Sequence, residues 1–294
     1  RRAHVSHAFN IAHGILASLA FAACFYLAGL VLTPRRWDAS LRHAGFPFLG
    51  AALYVLLCWV AISAQRVPLI IVASAFAGGL LVLAVFRMRR VIATARAHLA
   101  SRTLAVGVLS FVLFYVAAYT LTLPPAGDAY LPPASTGNLD LLTHVRYAKH
   151  LLLFGSADLE GATFNYLRNP AVSHLLAGFS LAYGRDPLSA AMPAQLALVA
   201  LLGLAAVNVS RSLFHLSAAP AAAIAGIVVT SPYVRDFAGA YRLAPLGTVS
   251  ILLYLLWMTL QARPARVVDA PLAVAFGSAY VLLFFIDPFS LLAA

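Results

Sequence analysis

The sequence predicts an all-α polytopic membrane protein, and three observations point there. Hydrophobic residues make up 63% of its 294 positions, while Asp, Glu, Lys and Arg together supply 10%. Soluble domains carry about 25% charged residues, and a soluble chain of this length could not hide so much apolar surface from water. The apolar residues also fall into runs of roughly 20, the length a helix needs to cross a bilayer. Finally, the charges are sorted along the chain. Arginines cluster in some connections between runs, and acids cluster in the others.

About eight spans follow from the runs, near residues 10–33, 45–63, 68–87, 103–123, 188–210, 217–232, 243–261 and 270–287. The sixth is short and alanine-rich, and a re-entrant or interfacial segment is its rival. The organisation is then a four-span bundle over 1–123, a long polar loop over 124–186 and a second bundle over 187–294. The opening at Arg1 and the close at "FSLLAA" lead to the expectation of a longer parent chain.

Orientation follows from the arginines, which favour the cytoplasmic side of short loops. The stretch "FRMRRVIATARAHLASR" places Arg87, Arg89, Arg90, Arg96 and Arg102 between the third and fourth runs. Alternation puts Arg35, Arg36, Arg42, Arg211, Arg263 and Arg266 on the same side. It puts Asp128, Asp140, Asp158, Glu160, Asp186, Asp236 and Asp287 on the other, leaving only Asp38 and Asp269 inside. The Arg1–Arg2 pair departs from this rule. The expected location is the inner membrane, multi-pass, with 124–186 extracytoplasmic. The net charge of +11 is explained by arginines at anionic lipid, so no nucleic-acid partner is expected. Cys24 and Cys58 fall inside apolar runs and read as small buried hydrophobes.

The polar loop concentrates the titratable chemistry. "GNLDLLTHVRYAKHLLLFG", residues 137–155, holds an aspartate, two histidines, an arginine and Lys149, the only lysine in the chain. Asn138 suits a helix N-cap and Gly155 a helix stop. Leu141, Val145, Ala148 and Leu152 recur with helical period and form an oily face. Asp140, His144 and Tyr147 share a second face, and Arg146, Lys149 and His150 a third. Such a helix suits the membrane interface. A second helix should begin at Pro170, whose fixed φ suits the first helical position, and end at Gly184. Its interior is apolar apart from Ser173 and His174. Both helices are expected at the interface; the plain reading of the first is scaffolding, with its cations held at lipid phosphates, and that of His174 is a hydrogen-bonded structural residue.

The order of these features resembles the first outer loop of the GT-C fold glycosyltransferases, membrane enzymes that use polyprenyl-phosphate-linked sugars. An acid follows a span, "RYAKHLLLFG" comes next, then the proline-led "YLRNPAVSHLLAGFSLAYGRDP" and another span. The resemblance covers about 137–190. It implies inverting transfer from a polyprenyl-phosphate donor to an acceptor on the outer face. Asp140 matches the catalytic carboxylate, with Asp128 as the second candidate. Leu141 stands where many members have a second acid, and four spans precede the loop where many members have one.

The side chains suit that chemistry. A carboxylate in an interfacial cleft acts as general base because partial desolvation raises its pKa. Arg146, Lys149, Arg168, Arg185, Arg235 and Arg242, all on the expected outer side, are candidates to hold the donor phosphate. His144, Tyr166 and His174 are candidates to contact substrate. Some members of the family bind a divalent metal at the first acid; Asp140 and His144 would offer two ligands here, with a third from His174 or Asp236. No nucleotide-binding loop or zinc spacing appears, so a nucleotide-sugar donor is not expected. The resemblance implies a lipid-linked sugar and an acceptor as partners, and membrane lipids and other membrane subunits are expected beside them. Two rival classes stand beside the enzyme: a non-catalytic subunit of a larger membrane complex, and a transporter or flippase of a lipid-linked anion.

Overall fold

The computed structural model describes residues 2–37, 45–65, 67–99, 139–155, 170–234, 243–262 and 270–287. Every regular element among them is helical. In chain order they are α1 (Arg2–Leu32), α2 (Gly45–Gln65), α3 (Leu69–Phe86), α4 (Met88–Leu99) and α5 (Leu139–Phe154). There follow α6 (Pro170–Tyr183), α7 (Pro187–Phe214), α8 (Ala218–Thr230), α9 (Leu243–Ala262) and α10 (Ala270–Ile286). A single 3-10 turn, Arg35–Trp37, follows α1.

α1, α2, α3, α7 and α9 are long and apolar enough to cross a membrane, and α8 and α10 are shorter apolar helices. These seven coincide with seven of the segments read as spans. The eighth, 103–123, lies outside the described residues. α8 has 13 residues, a rise of about 20 Å, which is less than the roughly 30 Å hydrocarbon core.

The helices pack on small residues. Lipid tails are as apolar as leucine, so helices in a membrane associate through close backbone approach and polar contacts. At the α1–α2 crossing, Gly29 lies against the main chain of Phe46 and Gly50 against that of Phe25. The pairing is antiparallel, continued by Phe25 against Tyr54. Ala190, Ala191, Ala200 and Ala205 are fully buried along α7, and Ala221 and Ala225 along α8. Several hydroxyls inside the helices bond their own backbone, as Ser18 donates to Gly14 O and Ser250 to Leu246 O, which suits a medium without water.

The two ends of the bundle differ. Arg87 Nη1 donates to Thr33 O at 3.0 Å, and Arg90 donates to Thr33 O and Pro34 O. Two guanidinium groups, Arg87 at the end of α3 and Arg90 in the first turn of α4, therefore close the carbonyl end of α1, where a helix dipole favours cations. At the opposite end, His13 of α1 stacks on Tyr183 of α6 at 4.6 Å. Trp59, in the half of α2 nearer this end, packs on Phe285, so α10 also ends here, with Asp287 after it.

Three local expectations are corrected. The basic stretch after α3, read as a loop, is helical over Met88–Leu99. Cys24 is exposed on α1 rather than enclosed. α6 was expected at the interface, yet it is buried nearly all round and packs on α1, α2, α3, α5, α7 and α10. "PAVSHLLAGFSLAY" has no Asp, Glu, Lys or Arg and its apolar residues are spread round the helix; a helix of that kind belongs in a core. Tyr183 sits beside His13, while Gly178 lies against Phe21 and Tyr54. α6 thus runs antiparallel to α1 and reaches the middle of the bundle.

Candidate functional site

α5 and α6 carry most of the expected site, and their ends are well specified. Gly155 has φ +65° and donates its N–H to Leu151 O at 3.2 Å, closing α5 with a left-handed cap. Gly184 has φ +68°. Its N–H reaches Leu181 O, and that of Arg185 reaches Ser180 O, both at 3.2 Å. This pair of bonds is a Schellman stop, and glycine at its left-handed position avoids a Cβ clash. Asp186 then opens α7. It accepts from Leu188 N at 2.9 Å, Ser189 N at 3.3 Å and Ser189 Oγ at 2.7 Å. Pro187 occupies the first helical position, where no N–H is needed. Partial burial pulls the Asp186 pKa up, but these hydrogen bonds outweigh it and hold it below the usual carboxylate value.

α5 is split between core and exterior. Leu141, His144, Val145, Tyr147, Ala148, Leu151 and Leu152 are buried; Leu142, Arg146, Lys149, Leu153 and Phe154 are exposed. The oily face and the His144–Tyr147 face, read as separate, are therefore one broad buried arc. The cause is that α5 meets α3, α6 and α7 together, so more than a single stripe is covered. Arg146 and Lys149 keep an outward position.

His144 Nδ1 lies 3.2 Å from Ser173 Oγ across the α5–α6 contact, with both side chains buried. His174, the next residue, is fully enclosed. Its carbonyl accepts from Tyr54 Oη at 3.3 Å. Tyr54 is braced by Phe25 and Phe76 and sits in a slot left by Gly178. A histidine so enclosed is kept neutral by the cost of burying its charge. It is a poor partner for a phosphate and stands away from any exposed face.

Among the expected site residues, the structure brings His144 and His174 to one α6 neighbourhood, through Ser173. Arg146 and Lys149 share α5 with them on its outer face. Asp140 lies in the first turn of α5, one turn before His144, but its side chain lies outside the described residues. Asp128, Tyr166, Arg168, Arg235 and Arg242 also lie outside them. Arg185 is exposed in the α6–α7 turn beside Asp186. Ser173 and Tyr54 were not legible as partners: the contacts join positions 29 and 120 residues apart, and no local period signals them.

Of the four candidate ligands for the divalent metal the resemblance raises, the side chains of Asp140 and Asp236 lie outside the described residues. His144 directs Nδ1 at a hydroxyl in the core. Among the described residues no three metal-binding side chains converge. No step below is routed through such an ion. Comparison with protein-family models, curated proteins and solved structures finds no match to this chain.

Proposed function

We propose that the chain is a polytopic membrane glycosyltransferase of GT-C type, moving a sugar from a polyprenyl-phosphate carrier to an acceptor hydroxyl at its extracytoplasmic face. The observation that carries the reading is the division of α5. One face is anchored in the core through His144 and Ser173. The other presents Arg146 and Lys149, and the first turn carries Asp140.

The step this supports is an inverting displacement. Asp140 takes the proton of the acceptor hydroxyl. The acceptor oxygen bonds to the anomeric carbon from the face opposite the phosphate. The carbon–oxygen bond to the phosphate breaks, and the polyprenyl phosphate leaves with the electron pair. Arg146 and Lys149 hold the charge that develops on its oxygens, with Arg168, Arg185, Arg235 and Arg242 as further candidates.

The test is sugar transfer from a polyprenyl-phosphate donor pool in membranes carrying the full-length protein. Asp140→Asn should lower transfer by about a hundredfold or more, the usual contribution of a general base, at an unchanged protein level. The enclosure of His144, Ser173 and His174 favours a second reading, a structural subunit of a larger membrane complex. Equal transfer by wild type and Asp140→Asn, or transfer by neither, would select that reading.

A further inference from the structure

We propose that α4 is an interfacial helix whose Arg89 and Arg96 bind the headgroups of anionic phospholipids, with Arg35 and Arg36 beside them. The inference is independent of the catalytic reading and concerns the other end of the bundle. α4 leaves α3 at Arg87, a break in the helix with φ −107° and ψ 20°, and packs only on α1 and α3 among the larger contacts. Its side chains separate into three directions. Val91 turns inward against the bundle core. Arg90 is committed to the end of α1 through Thr33 and Pro34. Met88 and Ile92, one turn apart, remain 50% and 42% exposed, and Ala95 continues their stripe. Arg89 and Arg96, two turns apart, flank that stripe and are exposed.

An apolar stripe left uncovered beside a row of cations is the pattern of a helix lying in the headgroup layer. Its level agrees. Trp37 is half-buried at the same end, and indole rings favour the interface. Arg35 and Arg36 are exposed on the short turn whose Pro34 carbonyl receives Arg90. No acidic residue occurs among the described residues of α1 to α4. Asp38, the nearest acid in sequence, lies outside them. Four exposed arginines with no described counter-charge, next to apolar side chains, match a phosphate headgroup with its acyl chains. Arginine suits this ligand because its planar fork meets two phosphate oxygens at once.

The experiment is native mass spectrometry of the full chain in detergent, titrated with phosphatidylglycerol or with phosphatidylcholine. Wild type should retain phosphatidylglycerol in preference. Each arginine near an anionic surface contributes about fivefold in affinity, so Arg89→Gln with Arg96→Gln should weaken phosphatidylglycerol binding by about thirtyfold. The paired lysine substitutions should keep most of it. Wild type also provides a test that needs no variant: molar salt should remove the preference. Amide exchange over 88–99 should be slower in nanodiscs containing phosphatidylglycerol than in phosphatidylcholine alone. Equal binding of the two lipids by wild type would overturn the proposal, as would full phosphatidylglycerol binding by the glutamine pair. Protection of 88–99 that follows protein concentration instead of lipid would make the surface a contact between chains and overturn it as well.

Discussion

Gly178 shows how much of α6 depends on one missing carbon. A Cβ there would come 2.5 Å from Tyr54 Oη, 3.0 Å from Tyr54 Cζ and 3.2 Å from a Phe21 ring carbon. Tyr54 cannot swing away, because Phe25 and Phe76 brace its ring. Gly178→Ala should therefore cost about 1–3 kcal/mol of stability, the usual range for overpacking. Part of that cost should vanish in a Tyr54→Phe background, since the closest atom is then gone. A double-mutant cycle of thermal unfolding in detergent reads the coupling; strictly additive losses would show that the two side chains do not meet. Ser173→Ala removes the hydroxyl at His144 and should cost about 1 kcal/mol, measured the same way. Neither contact could be read from the sequence. His144 and Lys149 were visible as unusual residues because they interrupt an oily chain. Whether each faces the core or the exterior depended on neighbours far away in sequence, and there His144 and Lys149 part company.

Helix ends were more legible than helix environments. Gly155, Pro170 and Gly184 act through the backbone within a few residues, and local chemistry of that range is written in the sequence; the cap that Asp186 forms beside Pro187 was not read from it. Asp186→Ala should cost about 1 kcal/mol at neutral pH through loss of the cap. The Asp186 pKa is lowered on folding, so the unfolded chain binds the proton more tightly. Its stabilisation is thus complete above the unfolded value and fades as pH falls through the folded one. Unfolding of wild type followed from neutral pH down through the carboxylate range should lose stability that Asp186→Ala does not lose; parallel curves would remove the carboxylate from the account. The α1–α2 crossing is less forgiving than the Gly178 slot, because a Cβ on Gly29 or Gly50 would meet main chain instead of a side chain. Gly29→Ala and Gly50→Ala should each destabilise more than Gly178→Ala in the same assay. The environment of α6 escaped the sequence reading for a physical reason. Its 14 residues are too few to span, and its place after a polar loop suggested the interface. Only the lack of any charged face showed that it could be enclosed.

The whole molecule has a polarity that arginine counting anticipated and that the contacts express independently. Arg87 and Arg90 bind the end of α1 at Thr33, whereas the turn with Arg185 and Asp186 follows Tyr183, which stacks on His13 at the start of the apolar part of α1, Ala12–Leu32. Between Ala12 and Leu32 that helix runs for 21 residues, about 30 Å at 1.5 Å per residue, which is one hydrocarbon thickness. Arg89 and Arg185 should accordingly face opposite sides of the membrane. Single cysteines at these two positions, in a chain with Cys24 and Cys58 replaced by serine, test this with a membrane-impermeant maleimide on intact cells. Arg185→Cys should label at once, and Arg89→Cys only after permeabilisation. Labelling of both from one side would break the antiparallel α1–α6 arrangement, because no packing with His13 at Tyr183 and Thr33 at Arg90 puts both positions together. Labelling in the reverse order would keep that arrangement and turn the molecule over. It would place the α6–α7 turn in the cytoplasm and remove the ground for an extracytoplasmic reaction at α5.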